Sequence, residues 1–159
     1  MALEDDIAFL SRIPTFGVLG REPLRILAIS AEQIHVRSGQ VLFEEGEPAD
    51  GGYVVVYGGI ELKGTRDHST GSSGMVARAG TLVGESALIV DTLRPATGTA
   101  VEPSGLLRIP RSVFLRMLEG EPGAAVALRK MMSRRLKSTL SDLDMVAPLF
   151  DDEGEPEPN

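Results

Sequence analysis

Residues 80–97 read Gly80-Thr81-Leu82-Val83-Gly84-Glu85-Ser86-Ala87-Leu88-Ile89-Val90-Asp91-Thr92-Leu93-Arg94-Pro95-Ala96-Thr97. A glycine-led turn at Gly84-Glu85 leads into Ser86–Ile89, an apolar segment long enough for one helical turn. The first N–H groups of such a turn have no partner within it and attract an anion. Arg94 follows Glu85 by nine residues and stands at the head of the next strand. Its forked guanidinium suits the oxygens of a phosphate. Glu85 would repel that phosphate; it makes sense if it faces a neighbouring hydroxyl and accepts its hydrogen bond, the alternative being that Glu85 and Arg94 simply pair with each other or with solvent. A phosphate fused to a ribose satisfies both groups.

The surrounding sequence has the texture of short strands. Ile34–Arg37, Val41–Glu44, Tyr53–Tyr57, Ile60–Lys63, Met75–Arg78, Thr97–Val101 and Leu106–Ile109 are brief apolar or alternating runs divided by glycine-bearing turns. Such spacing predicts an antiparallel sandwich or barrel. Gly58-Gly59, between Val54–Tyr57 and Ile60–Leu62, predicts a two-residue hairpin whose favoured turn needs positive φ at both positions. Thr65–Gly74 is polar and suits an exposed hairpin tip. Gly98 weakens its strand and leaves space beside it.

Both flanks turn to a helical period. Ile7, Phe9, Leu10 and Ile13 predict a short helix ended by Pro14, and a second is expected from about Pro23 to Ile29. After Pro110 a helix over Arg111–Leu118 is followed by a long one from Pro122 to about Ala147, ended by Pro148. On it Leu128, Met132, Leu136, Leu140 and Leu143 form one apolar stripe, a surface for a homodimer. The expected fold class is therefore α+β: an antiparallel, jelly-roll-like β-roll with short N-terminal helices and two C-terminal helices, filling residues 1–150.

The chain of 159 residues is sized for one domain. Its 16 basic and 23 acidic residues leave a net charge of −7, which disfavours broad binding to DNA or acidic lipid. Residues 151–159 hold Asp151, Asp152, Glu153, Glu155 and Glu157, and are expected to be a disordered acidic tail. The chain has no cysteine, which excludes disulfides, thiolate metal sites and thiol catalysis. With only His35 and His68, no metal centre is expected. The acidic start and the lack of a long apolar run point to a cytoplasmic protein with no membrane contact. Arg129, Lys130, Arg134, Arg135 and Lys137 read as a solvated face of the long helix, opposite its stripe.

At Gly84-Glu85-Ser86-Ala87-Leu88 and Arg94-Pro95-Ala96-Thr97 the sequence resembles the phosphate-binding cassette of the cyclic-nucleotide-binding domain family, whose members include the bacterial catabolite activator and the regulatory subunits of cyclic-AMP-dependent protein kinase. Ser38–Asp50 resembles the family's early strand and glycine-marked turn, and Tyr53–Leu62 its tyrosine–valine segment; the likeness spans roughly residues 5–147. It implies a β-roll that binds a cyclic nucleotide, cyclic AMP ahead of cyclic GMP. It implies that Glu85 accepts from the ribose hydroxyl, that Arg94 binds the phosphate, and that the N–H groups of Ser86 and Ala87 help cradle it. It also places Thr139 of the closing helix against the base. Pro95 departs from the pattern, because proline has no N–H to offer the phosphate; the Ser86 hydroxyl is a replacement donor. Gly98 stands where a β-branched residue is usual.

Gly84–Leu88 half-matches a hydrolase nucleophile elbow, but Leu88 stands where the second glycine is needed and the parallel sheet is missing. No catalytic residue is assigned. About a dozen residues, rich in acids, follow the long helix, so no recognition helix for DNA is expected. Two readings remain. One is a non-enzymatic intracellular receptor for a cyclic mononucleotide that signals to an unidentified partner by moving its C-terminal helices. The other is a β-roll scaffold that has lost its ligand and acts by dimerisation or partner binding.

Overall fold

The computed structural model describes residues 3–65 and 74–146, with side chains of the last helix described as far as Ser138. Helices α1 (Leu3–Ser11), α2 (Pro14–Gly17) and α3 (Arg21–Ser30) lead into the strands. Pro14 does not simply end the first helix: it is the first residue of α2, where its missing N–H costs nothing. Ile7, Leu10, Ile13, Phe16, Leu24 and Leu27 all turn inward and are buried.

The strands are β1 (Glu32–Val36), β2 (Val41–Phe43), β3 (Pro48–Ala49), β4 (Gly51–Tyr57), β5 (Gly59–Lys63), β6 (Met75–Arg78), β7 (Leu82–Val83), β8 (Thr92–Leu93), β9 (Thr97–Ala100) and β10 (Ser104–Pro110). Two four-stranded antiparallel sheets, ordered β1-β10-β4-β7 and β2-β9-β5-β6, are joined by the two-stranded ladder β3-β8. All seven expected strands are present, and the α+β β-roll is the observed fold. Strands β3, β7 and β8, two residues each, are too short to show a period of two and were not expected.

The predicted Gly58-Gly59 hairpin is a correction. β4 pairs with β10 and β7, whereas β5 pairs with β6 and β9, so the chain crosses from one sheet to the other at Gly58. Only Gly58 has positive φ, at 90°. A Cβ there would lie 2.2 Å from Ser104 Oγ, so this corner admits glycine alone.

Two apolar cores result. One lies between the helices and the outer face of the first sheet, with Leu10, Phe16, Leu27, Val54, Ile109, Phe114 and Met117 at its centre. The other fills the roll, around Phe43, Val55, Ile60, Ala100 and Leu106. Helices α4 (Arg111–Gly120) and α5 (Pro122–Val146) complete the described chain. Leu128 is buried in the helical core, while Met132 and Leu136 are exposed. The stripe therefore divides after one residue. The side chains of Leu140 and Leu143, His68 and the acidic tail lie outside the described residues. No described helix is long and apolar enough to cross a membrane.

Candidate functional site

The cassette begins at Gly84, which adopts φ 83° and caps a 3₁₀ turn over Glu85–Leu88. Left-handed backbone favours glycine, and space demands it as well: a Cβ at Gly84 would lie 2.6 Å from Nη1 of Arg94. Gly84→Ala is therefore expected to lose about 1–2 kcal/mol through backbone strain and to displace the guanidinium. Urea denaturation measures the first effect and ligand titration the second. Within the turn the Ala87 N–H donates to Gly84 O at 3.0 Å. The first donors free of a partner inside the turn are then those of Glu85 and Ser86.

Arg94 is buried, at 5% exposure. The adjoining chain holds its backbone, with its N–H donating to Glu47 O and its carbonyl accepting from Gly46 N–H, both at 2.8 Å. Nη2 donates to the buried Gly51 carbonyl at 3.0 Å. The guanidinium lies over Phe43 and Tyr53, 4.5 and 5.4 Å from the ring centroids. Each such contact contributes about 2 kcal/mol or more when desolvated. Burial pushes the Arg94 pKa below the ordinary arginine value, while the nearby Asp50 carboxylate opposes that shift. An arginine nonetheless keeps its proton in a protein, so a positive charge is stored behind the turn.

The role of Gly98 follows from this. Its missing side chain does not leave a void: a Cβ there would meet the Phe43 ring at 2.9–3.2 Å. Glycine lets Phe43 lie flat against β9 and under Arg94.

Glu85 faces the same pocket with a different set of partners. Its Oε2 accepts from the Thr15 hydroxyl, and Arg135 Nη1 donates to both carboxylate oxygens at 3.0 and 3.1 Å. Thr15 is buried on α2. Arg135 is the exception to the solvated reading of the basic cluster, because it turns from α5 towards the cassette. Sequence reading missed Thr15, Gly51, Phe43, Tyr53 and the role of Arg135. Only the basic run on α5 carried a signal, and its period did not single out Arg135. The Arg135–Glu85 pair is 47% and 33% exposed, and exposed pairs contribute little. Arg135→Ala is expected to change folding stability by less than about 1 kcal/mol in urea denaturation.

The pocket has a volume of about 300 Å³ and is lined by Ala49, Gly84, Glu85, Ser86, Ala87, Thr92, Leu93, Arg94 and Pro95. Six of the nine expected site residues thus come together. Ala96 and Thr97 are not in its lining. The Thr97 hydroxyl instead accepts from Glu45 N–H at 2.9 Å, which ties β9 to the turn after β2. The side chain of Thr139 lies outside the described residues. The pocket can hold a small anion against a buried cation while offering a carboxylate acceptor in the same lining. Among the described residues no three His, Cys, Asp or Glu side chains gather as metal ligands would.

A model of the cyclic nucleotide-binding domain matches residues 33–121, more than half of the chain. The N-terminal domain of a transcriptional regulator from Streptomyces coelicolor superposes with a TM-score of 0.77 and 32% identity, covering 85% of this chain and 94% of that one. A cyclic nucleotide-binding-like protein from Brucella abortus is 38% identical with a TM-score of 0.63, covering 72% and 98%. Among curated proteins, a lysophospholipase of Aspergillus terreus is 29% identical over 82% of this chain. The match covers only 10% of that much larger protein.

Proposed function

The chain belongs to the cyclic nucleotide-binding domain family, and on that basis we propose that it is a non-enzymatic receptor for a cyclic mononucleotide. The observation that carries this reading is the convergence of Arg94 and Glu85 on one pocket around the 3₁₀ turn. Arg94, with the N–H groups at the head of the turn, binds the cyclic phosphate; the Ser86 hydroxyl replaces the donor that Pro95 lacks. Glu85 accepts from the ribose hydroxyl, and Thr139 offers its own hydroxyl to the base. Cyclic AMP is the preferred ligand, because Pro95 has no hydroxyl with which to hold a guanine amino group. Calorimetric titration with cyclic AMP and cyclic GMP tests this: tighter binding of cyclic AMP is expected, and equal or tighter cyclic GMP would overturn the preference.

A ribose hydroxyl arriving at Glu85 meets the carboxylate that Arg135 grips from α5. Ligand therefore has a different hold on different positions of α5, which any switch requires. The exposed end of the stripe supports a homodimer. Met132 and Leu136 are 41% and 60% exposed and border a shallow groove with Ala125, Leu128, Arg129 and Ser133. A second copy is the simplest cover, each stripe meeting its twin. Light scattering is expected to show a dimer that Leu136→Glu converts to a monomer; a monomer in both cases would sink the idea. The receptor acts in the cytoplasm on a protein partner, without contacting DNA itself.

A second reading has its own support. Arg94 and Glu85 already have protein partners, and Pro95 removes a phosphate donor. A roll that had lost its ligand and served as a scaffold needs such a self-satisfied site. No heat from either nucleotide would favour it.

A further inference from the structure

Arg111 is the first residue of α4, and the Pro110 before it supplies no side-chain cap. Its backbone N–H donates instead to Asp50 O at 2.7 Å. Its guanidinium reaches away from the helix into a ring of acceptors on the cassette. Nη1 faces the carbonyls of Ala49, Ala87 and Val90 at 3.0, 3.2 and 3.1 Å, and Nη2 donates to the Asp91 carboxylate. The side chain is only 20% exposed.

Those acceptors are where a cation is needed. Ala87 lies in the 3₁₀ turn that ends at Leu88, and the last carbonyls of a helical turn have no partner inside it. Positive charge at that end also complements the turn's dipole. Ala49 belongs to β3. Ala49 and Ala87 both line the pocket, and Arg111 does not. One guanidinium, itself outside the lining, therefore grips two of the segments that wall the pocket. The same residue starts the helix that leads to α5, and α5 returns Arg135 to Glu85 of the lining.

We propose that Arg111 is a positioning residue: it sets the separation of the Ala49 and Ala87 walls and ties that separation to the placement of α4. As it concerns cyclic nucleotide affinity, the proposal rests on the receptor reading above. Its mechanical part does not. A shift of the turn on ligand binding moves carbonyls that Arg111 holds, so α4 moves with it. Asp91 is 94% exposed, so its ion pair is screened by water. The three carbonyls carry the grip.

Hydrogen exchange on the ligand-free protein tests the mechanical part through Arg111→Gln and Arg111→Lys. In Arg111→Gln, amides of residues 84–92 and of the first turn of α4 are expected to exchange at least about fivefold faster, with β5 and β9 unchanged, as a local opening does. Arg111→Lys keeps a cation and should restore part of the protection. Unchanged exchange over 84–92, or a uniform rise across all strands, would overturn the proposal in favour of no role or a merely structural one. Calorimetry with cyclic AMP supplies the second readout. Arg111→Gln should bind at least about tenfold more weakly, the loss expected for bonds to a charged group, with Arg111→Lys in between. Wild-type affinity in Arg111→Gln would refute positioning. If the wild-type protein binds neither nucleotide, the receptor reading fails, and the exchange result still decides whether Arg111 joins the turn to α4.

Discussion

Arg94→Ala is expected to weaken cyclic nucleotide binding by at least about 1.5–3 kcal/mol, the range for losing a hydrogen bond to a charged group. That is roughly tenfold to more than a hundredfold in dissociation constant. Calorimetry measures it, and unaltered affinity would remove phosphate recognition from the mechanism. Sequence reading alone suggests that such a change spares the fold. The structure says otherwise, because Arg94 is buried, lies over Phe43 and Tyr53, and satisfies the Gly51 carbonyl. Stranding that carbonyl costs about 1–3 kcal/mol, and relief from burying the guanidinium offsets part of it. A loss near the lower end is expected in urea. Arg94→Lys keeps the charge but lacks the planar fork, so its affinity should lie between the two.

The largest effect on stability is expected from Phe114→Ala, about 3–5 kcal/mol as for other buried aromatic truncations. Phe114 is fully buried, and its ring centroid lies 6.1 Å from that of Phe16. It joins α4 and the N-terminal helices in one core with Leu88 of the cassette turn. The cavity would open where three parts of the chain meet, each positioned by the others, so collapse around it is limited. Denaturant midpoints with unchanged slopes would measure the loss. A loss below about 1 kcal/mol would mean that the ring is not the keystone that its burial implies.

Much of the fold was legible because its signals are local. The helices announce themselves by apolar residues three and four apart, and the long strands by alternation between glycine turns. The cassette is legible for the same reason. Its glycine is required by a left-handed backbone at Gly84, and its arginine follows at a fixed distance along the chain. Where local signals were short or shared, reading failed. Gly58-Gly59 has the composition of a hairpin turn, yet it serves a corner between sheets.

From residue types and spacing alone came the β-roll, its helical flanks, and the placing of Gly84, Glu85 and Arg94 around one turn. Only the tertiary structure decided what those side chains touch. Glu85 meets Thr15 across 70 positions and Arg135 across 50. Arg94 settles on rings and a carbonyl contributed by β2 and β4. Gly98 proves to be room for Phe43 rather than room for a ligand. The physical reason is common to all of these. Turn and helix preferences are set by neighbours in the chain and leave a period behind, whereas a side chain takes whatever partner the closed fold brings beside it from distant positions, and that choice leaves no period to read.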